Sequence, residues 1–553
     1  MQGFTPKFIT TMREGYNFSL FRSDSVAGLT VAIVALPLSM ALAIASGASP
    51  DKGLVTAVIA GFLISFLGGS RVQIGGPTGA FVVVVFNVIA EHGYDGLLIA
   101  TFLAGLILIA AGAFRVGRLI KFIPHPVVTG FTAGIALIIA SSQVKDFLGL
   151  SLENVPAAFL PKWQAYFGAM TSVHIATFLV GLGALCVIVA LKKFAPKLPG
   201  FLVAIVLASL TVALLQLPVE TIGTRFPDMA TGLPRPSLPD LTWAKTTELL
   251  PAAFTIAFLA GIEALLSAVV ADGMTGTRHR SNQELIGQGV ANLGSVLFGG
   301  LPATGAIART ATNIKAGGKT PVSGMMHALF LLLFILFASD FMAYVPMAAL
   351  AAILFVVAWG MSEFDRFVVL LRMPNSDRAV LLLTFGLTVL VDLTVAIGVG
   401  VTLASLLFMA RMSDTVQLEN GQSPNSDPER EGEDPGQRDD LPKDVEVFRI
   451  SGPVFFGVAG ELLDAMRKIG RTPKVIILRM RLVPMLDASG VTMIKEFIDQ
   501  ARLSGTEIIL SGVQNQPREM LTRVGLSSDQ PGIDFKGDYR SALKLARELT
   551  LAS

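Results

Sequence analysis

Apolar runs long enough to cross a bilayer recur from residue 27 to residue 409, and they leave this chain little choice of surroundings. A helix needs roughly 20 apolar residues to span the hydrocarbon. About fourteen segments are predicted, near 27–45, 53–68, 78–90, 97–114, 123–141, 174–191, 199–216, 251–270, 285–298, 306–314, 322–338, 343–360, 378–392 and 394–409. Some, such as 78–90 and 306–314, are too short to span. Only 15% of residues are charged, against about 25% in a soluble domain. Mean hydropathy is +0.65. The expected class is an α-helical membrane protein whose main contact is the lipid bilayer.

Several functions are disfavoured at once. A net charge of +2 gives no reason to expect a nucleic-acid partner. The single cysteine, Cys186, cannot form an internal disulfide or a thiolate cluster. His92, His125, His174, His279 and His327 are scattered and read as loop or helix-end residues. The sequence has no HExxH, GxSxG or Walker-type loop, so no enzyme, metal or cofactor is expected. The opening MQGFTPKFITTMREG has no apolar core of the secretory kind.

Lys and Arg alternate by loop. Arg115, Arg118 and Lys121 share one loop, Lys192, Lys193 and Lys197 the next of that series, and 91–95 and 339–346 carry neither type. With an even number of segments, this bias places both termini in the cytoplasm of a bacterial inner membrane. Four regions follow: a cytoplasmic segment 1–26, a transmembrane domain 27–411, an acidic flexible linker 412–441, and a small α/β domain 442–553 with the strand-like runs VEVFRI, VIILRM and EIIL.

The two halves of the membrane region resemble each other. Gly68-Gly69 precede SRVQIGGPT and then Gly79-Ala80-Phe81; Gly299-Gly300 precede LPAT and then Gly305-Ala306-Ile307. In both, a glycine pair ends a helix, an irregular stretch follows, and a small-residue helix begins. Seven segments per half would invert the second half, as in many secondary transporters. Irregular backbone at membrane depth must face protein or a water-filled cavity. Two helix N-termini aimed at the midplane would supply unpaired N–H groups to an anion. Thr78 adds a hydroxyl and, after Pro77, a favoured helix start.

Glu263 lies mid-segment in FLAGIEALLSAVVA, with Ser267 one turn on and on the same face. A carboxylate there is costly and points to function; the pair suits a proton or a sodium ion. Arg309, one turn into the second half-helix, is a counter-charge for an anion, a partner for Glu263, or a side chain reaching for the cytoplasm.

Over nearly its whole length the chain resembles the sulfate permease family of anion transporters. The resemblance rests on ALPLSMALAIASG, SRVQIGGPTGAFVVVV, FIPHPVVTGFTAGIAL and GIEALLSAVVADGMTGTRHRSNQELIGQG. The tail resembles the STAS domain that follows the membrane part in that family. This likeness implies a seven-plus-seven inverted repeat with core (segments 1–4 and 8–11) and gate domains, a homodimer, and an elevator-like movement. It implies substrate contacts at Thr78, Gly79 and Phe81 and at Gly305, Ala306, Ile307, Ala308 and Arg309. It places ion coupling at Glu263 and Ser267. Sodium-coupled members carry Asp and Thr there, so protons are favoured over sodium. Leu38 replaces a Gln common in the first segment. Asp487-Ala488-Ser489-Gly490 is similar to the DSSG loop of anti-sigma-factor antagonists, which makes Ser489 a candidate phosphorylation site and Asp487 its neighbour; a plain helix cap is the simpler alternative.

The expected function is proton-coupled symport of a small anion. The stretches DGMTGTRHRSN and PATGAIARTATN resemble the branch carrying four-carbon dicarboxylates such as succinate, fumarate or aspartate. Alternatives are sulfate or bicarbonate transport, proton- or sodium-coupled, an uncoupled channel or exchanger, and a signalling module in which the STAS domain docks a soluble protein.

Overall fold

Inside lipid, backbone polar groups need partners within the chain, and a helix supplies them locally. The computed structural model obeys that rule. It describes residues 4–117, 124–152, 155–156, 158–196, 198–227, 232–391, 393–414, 416–420, 441–442, 444–456, 473–527 and 532–551. Two compact units emerge, Met1–Ala404 and Ser405–Ser553.

In the first unit, helix α1 (Lys7–Gly15) precedes α2 (Phe18–Ala45) and α3 (Pro50–Leu67). A two-residue strand β1 (Gly75–Gly76) and a single 3-10 turn (Gly79–Phe81) lead into α4 (Val82–Ala113). Gly93, at φ 71°, breaks α4 and divides it into the third and fourth segments. Then come α5 (His125–Leu148), α6 (Phe159–Gly168), α7 (Ile175–Phe194), α8 (Gly200–Leu215) and α9 (Ile222–Arg225). The second half repeats the plan with α10 (Trp243–Thr275), α11 (Ser281–Leu297), β2 (Thr304–Gly305), α12 (Ile307–Lys315) and α13 (Val322–Met342). It ends with α14 (Met347–Met361), α15 (Phe364–Leu370), α16 (Asn375–Leu390) and α17 (Leu393–Asp414). Segments one to seven are α2, α3, the two parts of α4, α5, α7 and α8. Segments eight to fourteen are α10, α11, α12, α13, α14, α16 and α17. Among the described residues, eight helices are long and apolar enough to cross a membrane alone.

The packing reveals the repeat. Helix α2 packs on α13 as α4 packs on α10, and α3 packs on α11. Likewise α5 packs on α16 as α7 packs on α14, and α5 packs on α14. Exchanging each segment with the one seven places away maps this set onto itself. At its centre β1 and β2 pair antiparallel, Gly75 opposite Gly305 and Gly76 opposite Thr304. Small residues let the helices close in. A Cβ on Gly105 would lie 2.9 Å from the Gly289 carbonyl oxygen, and one on Gly289 would lie 2.5 Å from that of Gly105.

Some boundaries differ from the sequence reading. The first segment starts at Phe18, not 27, because Asp24 is fully buried yet satisfied. Its carboxylate accepts from Lys319 N (2.8 Å), Thr320 N (3.2 Å) and the Tyr16 hydroxyl (3.2 Å). Helix α10 starts at Trp243 and tolerates Pro251 within it. Helix α17 passes residue 411, and part of the expected linker forms strand β3 (Gln417–Asn420). Residues 421–440 of that linker and Asp392 lie outside the described residues.

In the second unit, β3 pairs antiparallel with β4 (Val445–Ser451), and β4, β5 (Val475–Leu482), β6 (Glu507–Ser511) and β7 (Ile533–Lys536) run parallel in that order. The described helices are α18 (Ala488–Leu503), α19 (Asn515–Arg523) and α20 (Tyr539–Leu551). Alternate strand residues serve opposite faces. Ile476, Leu478 and Leu510 pack with Ile494 and Ile498 of α18, while Val475, Ile477 and Ile509 pack with Ala542 and Ala546 of α20.

Candidate functional site

The site begins with the backbone crossing. Ala306 N donates to Ile74 O at 2.8 Å, and Ile74 N donates to the Thr310 hydroxyl at 3.0 Å. Each strand runs directly into a helix start, Gly79–Phe81 on one side and α12 on the other. First-turn amides have no acceptor within their own helix, and that end carries the positive pole of the helix dipole.

Matching clamps hold the two crossings from behind. Fully buried Glu284 on α11 accepts from Gly69 N (2.7 Å), Ser70 N (3.0 Å) and Gln288 Nε2 (2.7 Å). In the symmetry-related place, Thr56 on α3 accepts from Leu301 N (2.7 Å). Asn292 brackets Ala303, accepting from its N–H and donating to its carbonyl, both at 2.9 Å. Gln73 donates to Ala264 O (3.1 Å), and Thr304 to Ala260 O (2.7 Å), so both crossings hang on α10.

Most residues singled out by sequence converge here. Thr78 is N-cap to the Gly79–Phe81 turn, but its side chain makes no cap bond. The hydroxyl donates instead to Glu263 Oε2 at 2.7 Å, so Thr78 stands at the expected helix start with its side chain engaged by the carboxylate. Ser267, fully buried, donates to the Thr310 hydroxyl at 3.2 Å rather than sharing a contact with Glu263. Gly79 and Phe81 are buried, Gly305 faces Gln73, and Ala306 caps α12, with Ile307 and Ala308 exposed at its first turn. Arg309 is 2% exposed. It donates through Nη2 to Pro77 O (3.0 Å) and to the Ser39 hydroxyl (3.3 Å), while Nε and Nη1 have no partner. Among the described residues no ion pair joins Arg309 to Glu263.

Sequence reasoning missed Ser39, Gln73, Thr310 and the clamp Glu284, whose partners Arg309, Ala264, Ile74 and Gly69 lie 191 to 270 residues away. It also misplaced His327, which sits fully buried in the second turn of α13, not in a loop or at a helix end. In the second unit Asp487 caps α18, accepting from Gly490 N at 2.8 Å, and also accepts from Phe456 N at 3.2 Å. Ser489 is exposed in that helix's first turn.

The geometry is that of an anion cradle: a buried guanidinium with donors to spare between two helix starts. A carboxylate on a third element is tied to one of those starts. The model of the Sulfate permease family matches residues 21–384, and that of the STAS domain matches 440–536. YvdB of Bacillus subtilis, whose name refers to sulfate transport, is 42% identical over 93% of this chain and 95% of its own length. The bicarbonate transporter BicA of Picosynechococcus is 32% identical over 96% of this chain and 95% of its own length. Among solved structures, the transmembrane domain of a cyanobacterial BicA matches 70% of this chain and 98% of its own at TM-score 0.61 and 32% identity. Murine Solute Carrier 26 family member A9 shares the fold over 99% of this chain and 94% of its own, at TM-score 0.86 and 17% identity. This chain belongs to the sulfate permease family of anion transporters, with a C-terminal STAS domain.

Proposed function

We propose that the chain is a secondary active transporter of an inorganic oxyanion, coupled to protons through Glu263. The carrying observation is Arg309, buried at the meeting of two helix starts with two guanidinium nitrogens unpartnered. A planar guanidinium with free donors suits an oxyanion. The names of YvdB and BicA refer to sulfate and bicarbonate. Neither name refers to a dicarboxylate, so sulfate and bicarbonate take precedence over the four-carbon acids expected from DGMTGTRHRSN and PATGAIARTATN. Glu263 and Thr78 supply a carboxylate and a hydroxyl in contact, where a proton can replace a hydrogen-bonded charge; sodium is the second choice.

The setting is a bacterial plasma membrane, with both termini cytoplasmic and the chain working as a homodimer. Segments 1–4 and 8–11 shift together past the rest in an elevator-like step, and the STAS domain is free to dock a soluble protein. The test is uptake of labelled sulfate, bicarbonate and succinate into proteoliposomes, under a proton or a sodium gradient. Sulfate or bicarbonate should accumulate with the proton gradient, and Glu263→Gln should remove the gradient's effect. Accumulation of succinate alone would overturn the substrate assignment. Proton-driven accumulation unchanged in Glu263→Gln would overturn the coupling role.

A further inference from the structure

Among the described residues two basic side chains are buried: Arg309 of the cradle, at 2% exposure, and Lys162 of α6, at 5%. A buried charge is costly unless something pairs with it. Among the described residues no hydrogen bond or ion pair engages the Lys162 ammonium. Its Nζ lies 5.8 Å from the centre of the Phe86 ring, near the outer reach of a cation–π contact. On the neighbouring α5, the carboxylate of Asp146 is already taken by Arg225 at 2.9 Å. Unlike Nε and Nη1 of Arg309, Nζ of Lys162 is not sealed from solvent. The stem is enclosed, and a small ion can reach the tip.

Two helices place that tip relative to the cradle. Phe86 is on α4, five residues past Phe81 and about 7–8 Å along the chain of turns. Helix α6 is fastened to α5, where Trp163 Nε1 donates to the Ser141 hydroxyl at 3.2 Å, and Trp163 packs on Tyr166 and Phe167. Ser141 is two residues past Ile139, about 3 Å along α5. A Cβ on Gly79 would lie 3.2 Å from Ile139 Cδ1. The seam between α4 and α5 therefore meets the cradle at Gly79 and carries Lys162 roughly one turn further along. On the proposed orientation that direction leads away from the cytoplasm. A Cβ on Gly47, in the turn at the far end of α2, would lie 3.4 Å from Phe86 Cδ2.

We propose that Lys162 is a second anion site, an outer waypoint that holds a small oxyanion such as sulfate or bicarbonate before it moves along the seam to Arg309. The inference rests on the proposed anion site at Arg309. The two cations suit different tasks. A guanidinium fork fixes an oxyanion through parallel hydrogen bonds, whereas an ammonium is a compact point charge without a preferred face. A waypoint needs the second kind, because the ion must be held well enough to enter and loosely enough to leave. An anion at Nζ supplies the partner that the buried ammonium lacks. Charge set between low-dielectric walls also raises the local concentration of the ion.

The experiment uses the full chain, with labelled sulfate and bicarbonate as probes. In right-side-out membrane vesicles, Lys162→Gln should raise the half-saturating sulfate concentration about tenfold, the low end of the gain that focused charge gives to ion capture. The loss should shrink as sulfate approaches saturation. Lys162→Arg keeps a charge and should recover most of the affinity. In detergent, sulfate should slow acylation of the Lys162 amine by acetic anhydride, read by mass spectrometry, and gluconate at equal ionic strength should not. The same protection should persist in Arg309→Gln, which lacks the charge of the cradle. Protection absent from both proteins would overturn the inference. So would protection that disappears in Arg309→Gln, since the cradle alone would then be responsible. A lower maximal rate at unchanged half-saturation in Lys162→Gln would make Lys162 a structural staple between α6 and Phe86, and would overturn it too. Protection of Lys162 in a chain that carries neither sulfate nor bicarbonate would uphold the site and overturn the transport function proposed above.

Discussion

The Thr78 hydroxyl donates to Glu263 Oε2 at 2.7 Å, and this bond ties the start of one broken helix to the middle of α10. It joins an element of the first repeat to one of the second, beside the Gly75–Gly305 crossing. A change in the charge of Glu263 is therefore felt at once where the Gly79–Phe81 turn begins. Under the proposed coupling role of Glu263, this bond is what would link the coupling ion to the anion site.

Removing the donor should weaken the link without removing the carboxylate. Thr78→Val keeps the shape but leaves Glu263 Oε2 without its partner, at a cost of about 1–3 kcal/mol. Proton-driven uptake should fall by about 5- to 150-fold by that measure, while Thr78→Ser should retain most of it. Initial rates with and without a proton gradient check this. A Val variant with an unchanged gradient response would remove Thr78 from the coupling path.

Local pattern carried much of the architecture. Apolar runs mark nearly all the segments, and the GG–irregular–small-residue spacing marks the broken pair in the sequence itself. Boundaries slipped where a charge is buried with partners far away in sequence. Asp24 looked like a solvent residue because Lys319 and Thr320, almost 300 positions on, supply its hydrogen bonds. Glu284 fell just outside its predicted segment for the same reason: its partners are Gly69 and Ser70. Thr78 is legible as a helix start and as an expected substrate contact, but its bond to Glu263 is not, since helix-capping statistics describe neighbours in sequence and Glu263 is 185 residues away. His327 had no periodic or motif signal, because only tertiary packing shows a ring to be enclosed.

The helix crossing at Gly105 and Gly289 is a stability test. A Cβ on either glycine would sit inside contact distance of the other's carbonyl oxygen, so α4 and α11 pack backbone to backbone. Gly289→Val must push the helices apart, with overpacking costs of about 1–3 kcal/mol or more. The variant should give less monodisperse protein and a lower Tm in detergent. Gly183, whose Cβ would meet open space, should accept Ala without loss of Tm. Equal behaviour of the two variants would show that the close crossing contributes little.

Arg309 separates charge from geometry. Its Nη2 reaches both Pro77 O and Ser39 while Nε and Nη1 remain for a ligand. Arg309→Gln removes the charge and should weaken sulfate affinity by about 100-fold, within the span for deleting a buried charged partner. Arg309→Lys keeps the charge but has no planar fork, and should fall between. Ser39→Ala should cost less than either, since the Pro77 contact persists. The concentration dependence of uptake orders the four proteins, and Arg309→Gln with normal affinity would move the anion site elsewhere.

The STAS domain offers two neighbouring substitutions of opposite sign. Asp487 accepts from Gly490 N and Phe456 N at the start of α18, so Asp487→Ala should destabilise that helix by about 1 kcal/mol. Ser489 is exposed in the same first turn. A negative charge there meets the positive end of the helix dipole, which favours it by about 0.3–1 kcal/mol. Ser489→Asp should therefore leave amide protection in α18 equal or higher, whereas Asp487→Ala should speed exchange there about fivefold, the equivalent of a lost cap. Hydrogen exchange of the full-length protein reads both. Faster exchange in Ser489→Asp would mean that this turn cannot hold a phosphate-like charge, and would remove Ser489 as a modification site.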